Sequence, residues 1–327
     1  MNTTDQFLEK IEEKIRSYNQ EWQIQPPVNL YQPVSYSLSA GGKRLRPLLV
    51  LIGYQLFGDD VDKAIPAAMA VEVFHNFTLL HDDIMDKAEK RRGQPTVHIK
   101  FTENAAILSG DAMAFLAYRF LLQSQTNNIH LLSSLFTETA LEVCEGQQYD
   151  MDFENRTDVT TSEYIEMIRL KTAVLLGCAL KAGAIIGEAP EKMADNVYQI
   201  GVNLGIAFQL QDDMLDTYGN EAEFGKNIGG DIVSNKKTFL LIKALENATG
   251  NQKYELSDWI SKKEFDRNEK IRAVINIFNN LSIKNKTETA IQFYTELALN
   301  LINNLPVDPS RTAYLKSLCR KLMNRNN

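Results

Sequence analysis

Aspartates stand close together in the segment HDDIMDKAEKRRGQPT, which begins at His81. It holds Asp82, Asp83 and Asp86, followed by two arginines and a glycine-proline turn. On a helix, Asp82 and Asp86 share one face, where like charges four residues apart repel each other and cost some stability. A positive charge is needed to offset that repulsion. The residues leave two sources open, the local arginines and a bound metal ion.

A second acidic cluster repeats the spacing of the first. The segment GIAFQLQDDMLD ends in Asp212, Asp213 and Asp216, again in the order DDxxD. Each cluster closes a long apolar helical pattern, where the negative end of the helix dipole makes carboxylates unfavourable. A solvated helix end is therefore a weak explanation for two matched clusters. Packed side by side, the two helices would gather six carboxylates, and such hard oxygen ligands suit Mg²⁺ bound together with substrate phosphates.

Basic residues beside glycine turns supply the cations that a phosphorylated substrate needs. A single basic pair is most often solvated surface, but here such pairs recur next to aspartate clusters and glycine turns. They are Lys43, Arg44 and Arg46 in GGKRLRP, Arg91 and Arg92 after the first cluster, Lys171 before Thr172, and Lys226, Lys236 and Lys237 in FGKNIGGDIVSNKKT. Their association with the aspartates favours sites for phosphate or diphosphate groups.

Two other chemistries are rejected. The segment GNEAEFGKN approaches a P-loop, but five residues separate Gly219 from Gly225, and Asn227 follows the lysine. A P-loop has four residues between these glycines, Ser or Thr after the lysine, and a preceding strand. The pair His81-Asp82 suggests a metal-dependent hydrolase of the HD type, yet the four histidines of the chain form no convincing ligand set.

Composition limits the partners and the compartment. The chain has 327 residues, of which 44% are hydrophobic, and a formal net charge of -7. This acidity argues against a nucleic-acid partner, which calls for a basic surface. Three widely spaced cysteines without a CxxC pattern favour reduced thiols and a cytoplasmic location. The longest apolar run contains Lys181 and is too short to span a bilayer, so no integral membrane segment is expected.

Apolar residues recur at intervals of three and four through most of the chain, which is typical of amphipathic helices. Convincing strand-like alternation with hairpin turns is absent, so the predicted class is all-α. The predicted helices are Ala64–Asp86, Asn104–Gln123, His130–Tyr149, Thr161–Gly187, Glu191–Asp216, Asn235–Asn247, Glu269–Leu281, Thr287–Leu301 and Pro309–Met323. Few Pro/Gly-rich linkers interrupt them, which favours one bundle-like domain over residues 1–327.

The segments GGKRLRP, HDDIMDKAEKRRGQPT, Lys171-Thr172, GIAFQLQDDMLD and FGKNIGGDI together resemble the trans-polyprenyl (isoprenyl) diphosphate synthase family. They occur in the family's order between residues 41 and 238, and two DDxxD motifs joined to these basic motifs are far more specific than either alone. The resemblance implies a single-domain, all-α helical bundle around a deep central cavity, usually a homodimer. The reaction it implies begins when an allylic diphosphate ionises. Isopentenyl diphosphate then attacks the carbocation, and a proton is lost.

The resemblance also implies roles for individual residues. The Mg²⁺ site, with three ions when substrate is bound, falls on Asp82, Asp86 and Asp212, with Asp83, Asp213 and Asp216 as further candidates. By the same resemblance, isopentenyl diphosphate is bound by Lys43, Arg46, His75 and Arg92. The allylic diphosphate is bound by Arg91, Lys171, Thr172, Gln209, Lys226 and Lys236. The candidate catalytic residues are Asp82, Asp83, Asp86, Lys171, Asp212 and Lys226. The choice of Lys236 over Lys237 rests on alignment. His75 lies seven residues before Asp82, so both face one side of their helix.

Product length in such enzymes depends on the helix before the first DDxxD. Phe77 stands five residues before Asp82, Thr78 four and Phe74 eight. A single aromatic residue at the fifth position goes with geranylgeranyl diphosphate, which is therefore the expected product. Farnesyl diphosphate or a longer chain is the alternative.

Two alternatives belong to other classes. A class I terpene cyclase shares the fold and one DDxxD, but would place Ser or Thr at 216 and Glu at 220, where this chain has Asp216 and Asn220. A non-catalytic subunit of a heteromeric synthase typically loses one aspartate motif, and both are intact here.

Overall fold

The computed structural model describes residues 3–219 and 229–324, with side chains over 4–219 and 229–321. Helices account for nearly all of the regular structure in these ranges, which confirms the all-α prediction. The chain packs as two compact units. The first comprises residues 1–138, 178–198 and 306–314, and the second comprises 139–177, 199–305 and 315–327. A single domain over 1–327 stays a prediction.

The elements follow one another in this order. The first part of the chain forms α1 (Thr3–Trp22), α2 (Val28–Ser39), α3 (Leu45–Gln55), a 3-10 turn (Val61–Ala64), α4 (Ile65–Met85), β1 (Lys90–Arg91), β2 (Gln94–Pro95), α5 (Val97–Lys100), α6 (Glu103–Leu121) and α7 (Ile129–Glu154). The rest forms α8 (Thr161–Ile168), a π-helical segment (Arg169–Ala173), α9 (Val174–Ile186), α10 (Glu191–Tyr218), α11 (Gly230–Ser234), α12 (Phe239–Asn247), α13 (Gly250–Ser261), α14 (Arg267–Asn280), α15 (Ile283–Asn303) and α16 (Ala313–Asn324).

Helix α4 is the main buried helix of the first unit. Most of its apolar side chains from Ile65 to Leu80 are buried, and burial of each of the larger ones, such as Val71, Phe74 and Leu80, contributes about 1.5–3 kcal/mol. Glycines let α9 approach α3 closely in the same unit. A Cβ added at Gly53 would lie 2.1 Å from the carbonyl oxygen of Leu180, and one at Gly183 would lie 2.0 Å from that of Val50. No larger residue fits either position unless the helices separate.

A short hairpin follows α4. Strands β1 and β2 pair antiparallel, with Lys90 opposite Pro95 and Arg91 opposite Gln94. The two residues between the strands, Arg92 and Gly93, both have positive φ, at 52° and 77°. This is the requirement of the tight two-residue turns that join antiparallel strands, and glycine suits the second position. The turn sends the chain back toward the end of α4.

One hydrophobic core cluster of the second unit lies under helices α11 to α14 and the start of α15. Its buried members are Ile232, Leu240, Leu241, Ala244, Leu256, Trp259, Val274, Ile277, Phe278 and Ile283. Helix α12 enters this core after Thr238, whose hydroxyl accepts a hydrogen bond from the N–H of Leu241 and so caps the helix.

Three predicted helix ranges are wrong. The predicted helix Pro309–Met323 begins only at Ala313. The predicted helix Thr161–Gly187 is interrupted by the π-helical segment, where α7 comes so close that a Cβ at Gly146 would lie 2.2 Å from the nitrogen of Lys171. The predicted helix Asn235–Asn247 begins only at Phe239. Asn235 instead ends α11 in the left-handed conformation, with φ 56°, which asparagine tolerates better than most residues.

Candidate active site

The first aspartate motif lies at the end of α4. The hairpin that follows places Arg91 in contact with its middle residue, Asp83. Arg91 Nε lies 2.8 Å from Asp83 Oδ1 and 2.9 Å from Oδ2, and its Nη2 lies 2.8 Å from Oδ1. Burial raises the pKa of Asp83, and the charge of Arg91 opposes that rise. A local arginine therefore offsets the charge of the buried middle aspartate. Asp82 is partly buried, while Asp86 caps the helix and is exposed.

The three basic residues of GGKRLRP have different surroundings. Arg44 is buried and structural. Its Nη1 donates to Glu72 Oε1 at 2.7 Å, its Nη2 to the Leu38 carbonyl at 2.7 Å, and its Nε to Glu12 Oε1 at 2.8 Å. Lys43 beside it is exposed. Sequence reasoning had no signal that separated Arg44 from its two basic neighbours, because its acidic partners lie on α1 and α4.

Arg46 and His75 meet in the first unit, as their shared assignment to isopentenyl diphosphate predicts. Arg46 Nη1 lies 3.1 Å from His75 Nε2, so Arg46 donates and that ring nitrogen accepts. Burial, and then the charges of Arg46 and Arg92, lower the pKa of His75 well below its ordinary value. The imidazole is therefore neutral near pH 7, with its hydrogen on Nδ1. This pair presents a cation held in place by a neutral partner.

Arg92 packs on the glycine turn that precedes α3. Its Nη1 donates a hydrogen bond to the carbonyl oxygen of Gly41. A Cβ added at Gly42, where φ is 132°, would lie 2.8 Å from the same nitrogen. The double glycine is thus needed both for its backbone conformation and for the room that the guanidinium occupies. Arg92 is brought to the GGKRLRP segment, as the predicted diphosphate site requires.

The second aspartate motif, at the end of α10, has a buried middle member as well. Both oxygens of Asp213 accept hydrogen bonds, Oδ2 from the hydroxyl of Tyr164 and Oδ1 from Gln209 Nε2 at 3.1 Å. Thr172 Oγ1 in turn donates to Gln209 Oε1 at 3.2 Å. Burial raises the pKa of Asp213 to about 7, against the hydrogen bond from Tyr164. Thr172 and Gln209, both assigned to the allylic site, are therefore joined to this motif through one polar chain.

Lys171 lies within the π-helical segment. Its Nζ donates to Asp150 Oδ2 at 2.7 Å, from a side chain that is only partly exposed. Single π turns inside α-helices occur frequently at functional sites, because the extra residue changes the direction of the side chains that follow. Tyr164 and Asp150 were not found from the sequence, since their partners lie on other helices.

Asp216 lies near the end of α10, and Lys236 follows α11. Asp216 Oδ2 accepts the N–H of Asp231 at 3.0 Å, so this aspartate caps the start of α11. The charge of Lys236 acts to lower the pKa of Asp213, whereas Lys237 interacts with Glu154. This difference supports the choice of Lys236 over its neighbour. Lys226 lies outside the described residues.

The residues assigned to product length lie one to two turns before Asp82. Phe74 is buried, with its ring centroid 5.5 Å from that of Phe77 and 5.3 Å from that of Phe136 on α7. Phe77 is partly exposed, and the Thr78 hydroxyl donates to the His75 carbonyl at 2.8 Å. Phe74 is thus part of the packed interior, and Phe77 is the more accessible of the two rings.

The sequence profile of the family described as Polyprenyl synthetase matches residues 27–278. The chain belongs to the polyprenyl synthetase family. A geranylgeranyl diphosphate synthase of Saccharolobus solfataricus is 43% identical to this polyprenyl synthetase over 273 residues, which cover 82% of each chain. A geranylgeranyl pyrophosphate synthase of Geoglobus acetivorans is 38% identical over 320 residues, 97% of this chain and 95% of that one. A crystal structure of a geranylgeranyl pyrophosphate synthase matches it with a TM-score of 0.93 and 45% identity, covering 99% of both chains.

The carboxylates of this polyprenyl synthetase fit a magnesium ion better than a metal enclosed by protein ligands. Within residues 4–219 and 229–321, no group of three or more His, Cys, Asp or Glu side chains is arranged to hold a metal ion. Mg²⁺ typically takes one or two carboxylates and completes its shell with waters and substrate phosphates. The exposed carboxylate of Asp86 and the partly exposed ones of Asp82 and Asp212 are ligands of that kind.

None of the helices in the described ranges is both long and apolar enough to cross a membrane.

Proposed function

We propose that this polyprenyl synthetase condenses isopentenyl diphosphate with an allylic diphosphate, head to tail, to make geranylgeranyl diphosphate. The observation that carries the proposal is the group formed by Arg46, His75 and Arg92 in the first unit. It provides cations for a diphosphate in addition to those beside the aspartate motifs. A condensation needs two diphosphate sites, one for each substrate. The names of the similar proteins support the same reaction.

The isopentenyl diphosphate must keep its own diphosphate throughout the reaction. Lys43, Arg46 and Arg92 supply positive charge for it without a metal, and Arg is suited to paired hydrogen bonds with phosphate oxygens. The neutral His75 accepts from Arg46 and so fixes the direction of its guanidinium. This arrangement binds the substrate and orients its double bond toward the allylic partner.

The allylic diphosphate is the leaving group, so its site must stabilise negative charge as the bond breaks. We assign this role to Lys171, Lys226 and Arg91, with Thr172, Gln209 and Lys236 as further contacts. Fixed cations that already point at developing charge are the most effective form of such stabilisation. Mg²⁺, as three ions held by Asp82, Asp86 and Asp212 together with the substrate, would supply most of that charge.

We also propose a homodimer, located in the cytoplasm. Helix α6 presents large apolar side chains at seven-residue intervals, and Leu108, Phe115 and its capping residue Leu122 are 60%, 76% and 61% exposed. Residues seven apart lie on one face of a helix, so these three form a stripe that a second copy can cover. The mass of the protein in solution tests this state.

The free cysteines Cys144, Cys178 and Cys319 agree with a reducing compartment.

One experiment separates the candidate functions. The protein is incubated with labelled isopentenyl diphosphate, Mg²⁺ and, in turn, dimethylallyl, geranyl or farnesyl diphosphate, and the products are separated by chromatography. Geranylgeranyl diphosphate is the expected product with each primer. A cyclic hydrocarbon formed without isopentenyl diphosphate would indicate a terpene cyclase. A complete lack of turnover would indicate a non-catalytic subunit, and either result would refute the proposal.

A further inference from the structure

The second unit buries one lysine that no step of the proposed reaction uses. Lys270, on α14, is only 1% exposed. Its Nζ lies 4.2 Å from the centroid of the Phe265 ring, which packs against the hydrophobic core of this unit. Burial lowers the pKa of its ammonium group. A buried charge is costly unless hydrogen bonds and nearby partners compensate for it.

The partners of Lys270 lie on one short turn. Its Nζ donates to Asn235 Oδ1 at 2.7 Å and to the carbonyl oxygen of Val233 at 3.3 Å. Within the described part of the chain, then, oxygens of a backbone carbonyl and a side-chain amide receive this ammonium group. A methionine would fill the same space without the cost of burying a charge. The lysine is explained by what it holds, namely the turn formed by residues 233–235.

This turn has an unusual conformation that needs support. Asn235 has φ 56° and ends α11, and its Nδ2 donates to the carbonyl oxygen of Ile260 at 3.0 Å. Asn235 is therefore held from two sides, by Lys270 on α14 and by Ile260 on α13. A left-handed residue that is fixed in this way determines the direction of the next residue, which is Lys236.

Lys236 and the second aspartate motif are tied to the same turn. The N–H of Lys236 donates to the Asp231 carbonyl at 2.9 Å, and the N–H of Asp231 donates to Asp216 Oδ2 at 3.0 Å. A shift of residues 233–235 would thus move Lys236 and loosen the contact of α11 with Asp216. The hydrogen bonds connect a buried lysine, which binds no substrate, with a cation assigned to the allylic diphosphate.

We propose that Lys270 is a positioning residue for the allylic diphosphate site, which it serves by fixing the turn that sets the direction of Lys236. This inference rests on the proposed function, because it requires the allylic diphosphate to be the ligand of Lys236. Lys270 itself touches neither substrate. Its removal should weaken the binding of one substrate and leave the other unaffected.

The first test is Lys270→Met, which keeps the length of the side chain and removes its donors. The KM for the allylic substrate should rise about tenfold, which corresponds to the loss of a hydrogen bond to a charged group. The KM for isopentenyl diphosphate should stay within about twofold of the wild-type value, a split that general loss of structure would not give. Lys243→Met is the matched control, since Lys243 lies in the same unit and pairs with Glu246 at 2.9 Å. The control should change neither KM.

The second test asks whether Lys270 acts through Lys236. In a Lys236→Ala background, Lys270→Met should change the allylic KM by less than about twofold, because the cation that it positions is already absent. Multiplicative effects of the two substitutions would overturn the proposal. If Lys270→Met does not fold, Asn235→Gly takes its place. Glycine accepts the left-handed φ and removes the amide that Lys270 holds, so the same rise and the same dependence on Lys236 are expected.

The outcomes distinguish this inference from the function on which it rests. If the wild-type protein makes no prenyl diphosphate from isopentenyl diphosphate and any of the three allylic primers, both the proposed function and the positioning role of Lys270 are overturned. An active wild type whose two KM values are unchanged, or raised equally, in Lys270→Met overturns the positioning role alone. An active wild type with a selective rise that disappears in the Lys236→Ala background supports it.

Discussion

Arg46 donates a hydrogen bond to the unprotonated Nε2 of His75, from 3.1 Å away. This contact holds together two residues that are far apart in sequence and that we assign to the same diphosphate. It also fixes the charge state of the pair, because the partly buried imidazole stays neutral beside the arginines. Both consequences are open to measurement.

The stability of the protein should depend on pH through His75. Its pKa is lowered in the folded state, so below its ordinary value, about 6.5, the unfolded chain binds a proton that the folded chain does not. This contribution to the free energy of unfolding is therefore lost as pH falls below about 6.5, by at most ~1.4 kcal/mol per pH unit. Urea unfolding between pH 7.5 and 5.5 should show a smaller loss in His75→Gln than in the wild type. His130→Gln, at an exposed position, is the control. Parallel curves for His75→Gln and the wild type would contradict the expected neutral imidazole.

Substitution of Arg46 should affect one substrate only. Arg46→Ala removes a charge-assisted contact worth about 1.5–3 kcal/mol, so the KM for isopentenyl diphosphate should rise roughly ten- to a hundredfold. Lys226→Ala, outside the described residues, should instead impair the allylic substrate and kcat. Steady-state kinetics with each substrate varied in turn checks both effects. Equal effects of both variants on the two substrates would show that the pockets are wrongly assigned.

Removal of one carboxylate from either aspartate motif should stop turnover without unfolding the protein. Asp82→Ala and Asp212→Ala should each reduce kcat by orders of magnitude, because each would remove a proposed ligand of Mg²⁺. Thermal stability should be kept or raised, since a carboxylate near a helix C-terminus opposes the dipole. Asp111→Ala on α6 and Asp195→Ala on α10 are exposed controls. Near-normal kcat in either motif variant would refute its role, and so would activity that survives chelation of Mg²⁺.

Gly146→Ala should damage both stability and catalysis. The new Cβ would lie 2.2 Å from the nitrogen of Lys171, and a backbone atom cannot move aside cheaply. Overpacking of this kind costs about 1–3 kcal/mol, although alanine favours a helix more than glycine does. Because the displaced segment carries Lys171 and Thr172, kcat should fall as well. Cys144→Ala, at an exposed position of the same helix, is the control. Unchanged stability and kcat in Gly146→Ala would mean that the close approach of α7 to the π-helical segment matters neither for stability nor for catalysis.

Product length should respond to the face of α4 that precedes Asp82. Phe77→Ala should lengthen the product, and Thr78→Phe should shorten it toward farnesyl diphosphate. Phe74→Ala should lengthen it too, but with a loss of about 3–5 kcal/mol in stability, because that ring is packed against Phe136. Phe77→Ala is therefore the cleaner test, read by chromatography of the products. An unchanged distribution in all three variants would place the determinant on another helix.

Regular helices were predictable where a single periodic pattern determines them. Helix α4 was expected over Ala64–Asp86 and is found over Ile65–Met85, and the aspartate motifs fall at helix ends as expected. The π-helical segment was not predictable, because it accompanies a glycine on α7 that is distant in the chain. The hairpin was missed, although Arg92-Gly93 between two short extended pairs is a recognisable turn signal.

The types of the site residues were more predictable than their environments. Spacing marked both aspartate motifs, but it did not show that Asp83 and Asp213 are buried with hydrogen-bonding partners of their own. A run of three basic residues did not reveal that Arg44 is the structural one. Burial and pairing depend on which side chains from distant parts of the chain contact a residue, and the local sequence does not indicate those contacts.

The contact of Arg92 with the double glycine has a consequence for recombining relatives of this protein. The guanidinium occupies the room that a side chain at Gly42 would need, and it rests on the carbonyl of Gly41. The hairpin and the glycine turn are therefore one exchangeable block, although some fifty residues separate them. In a chimaera that takes the hairpin from one parent and the glycine turn from another, the residue at position 92 can clash with a side chain at position 42 or leave a gap beside it, unless the two segments match. Crossover points for such chimaeras belong outside this pair, before Gly41 and after Thr96.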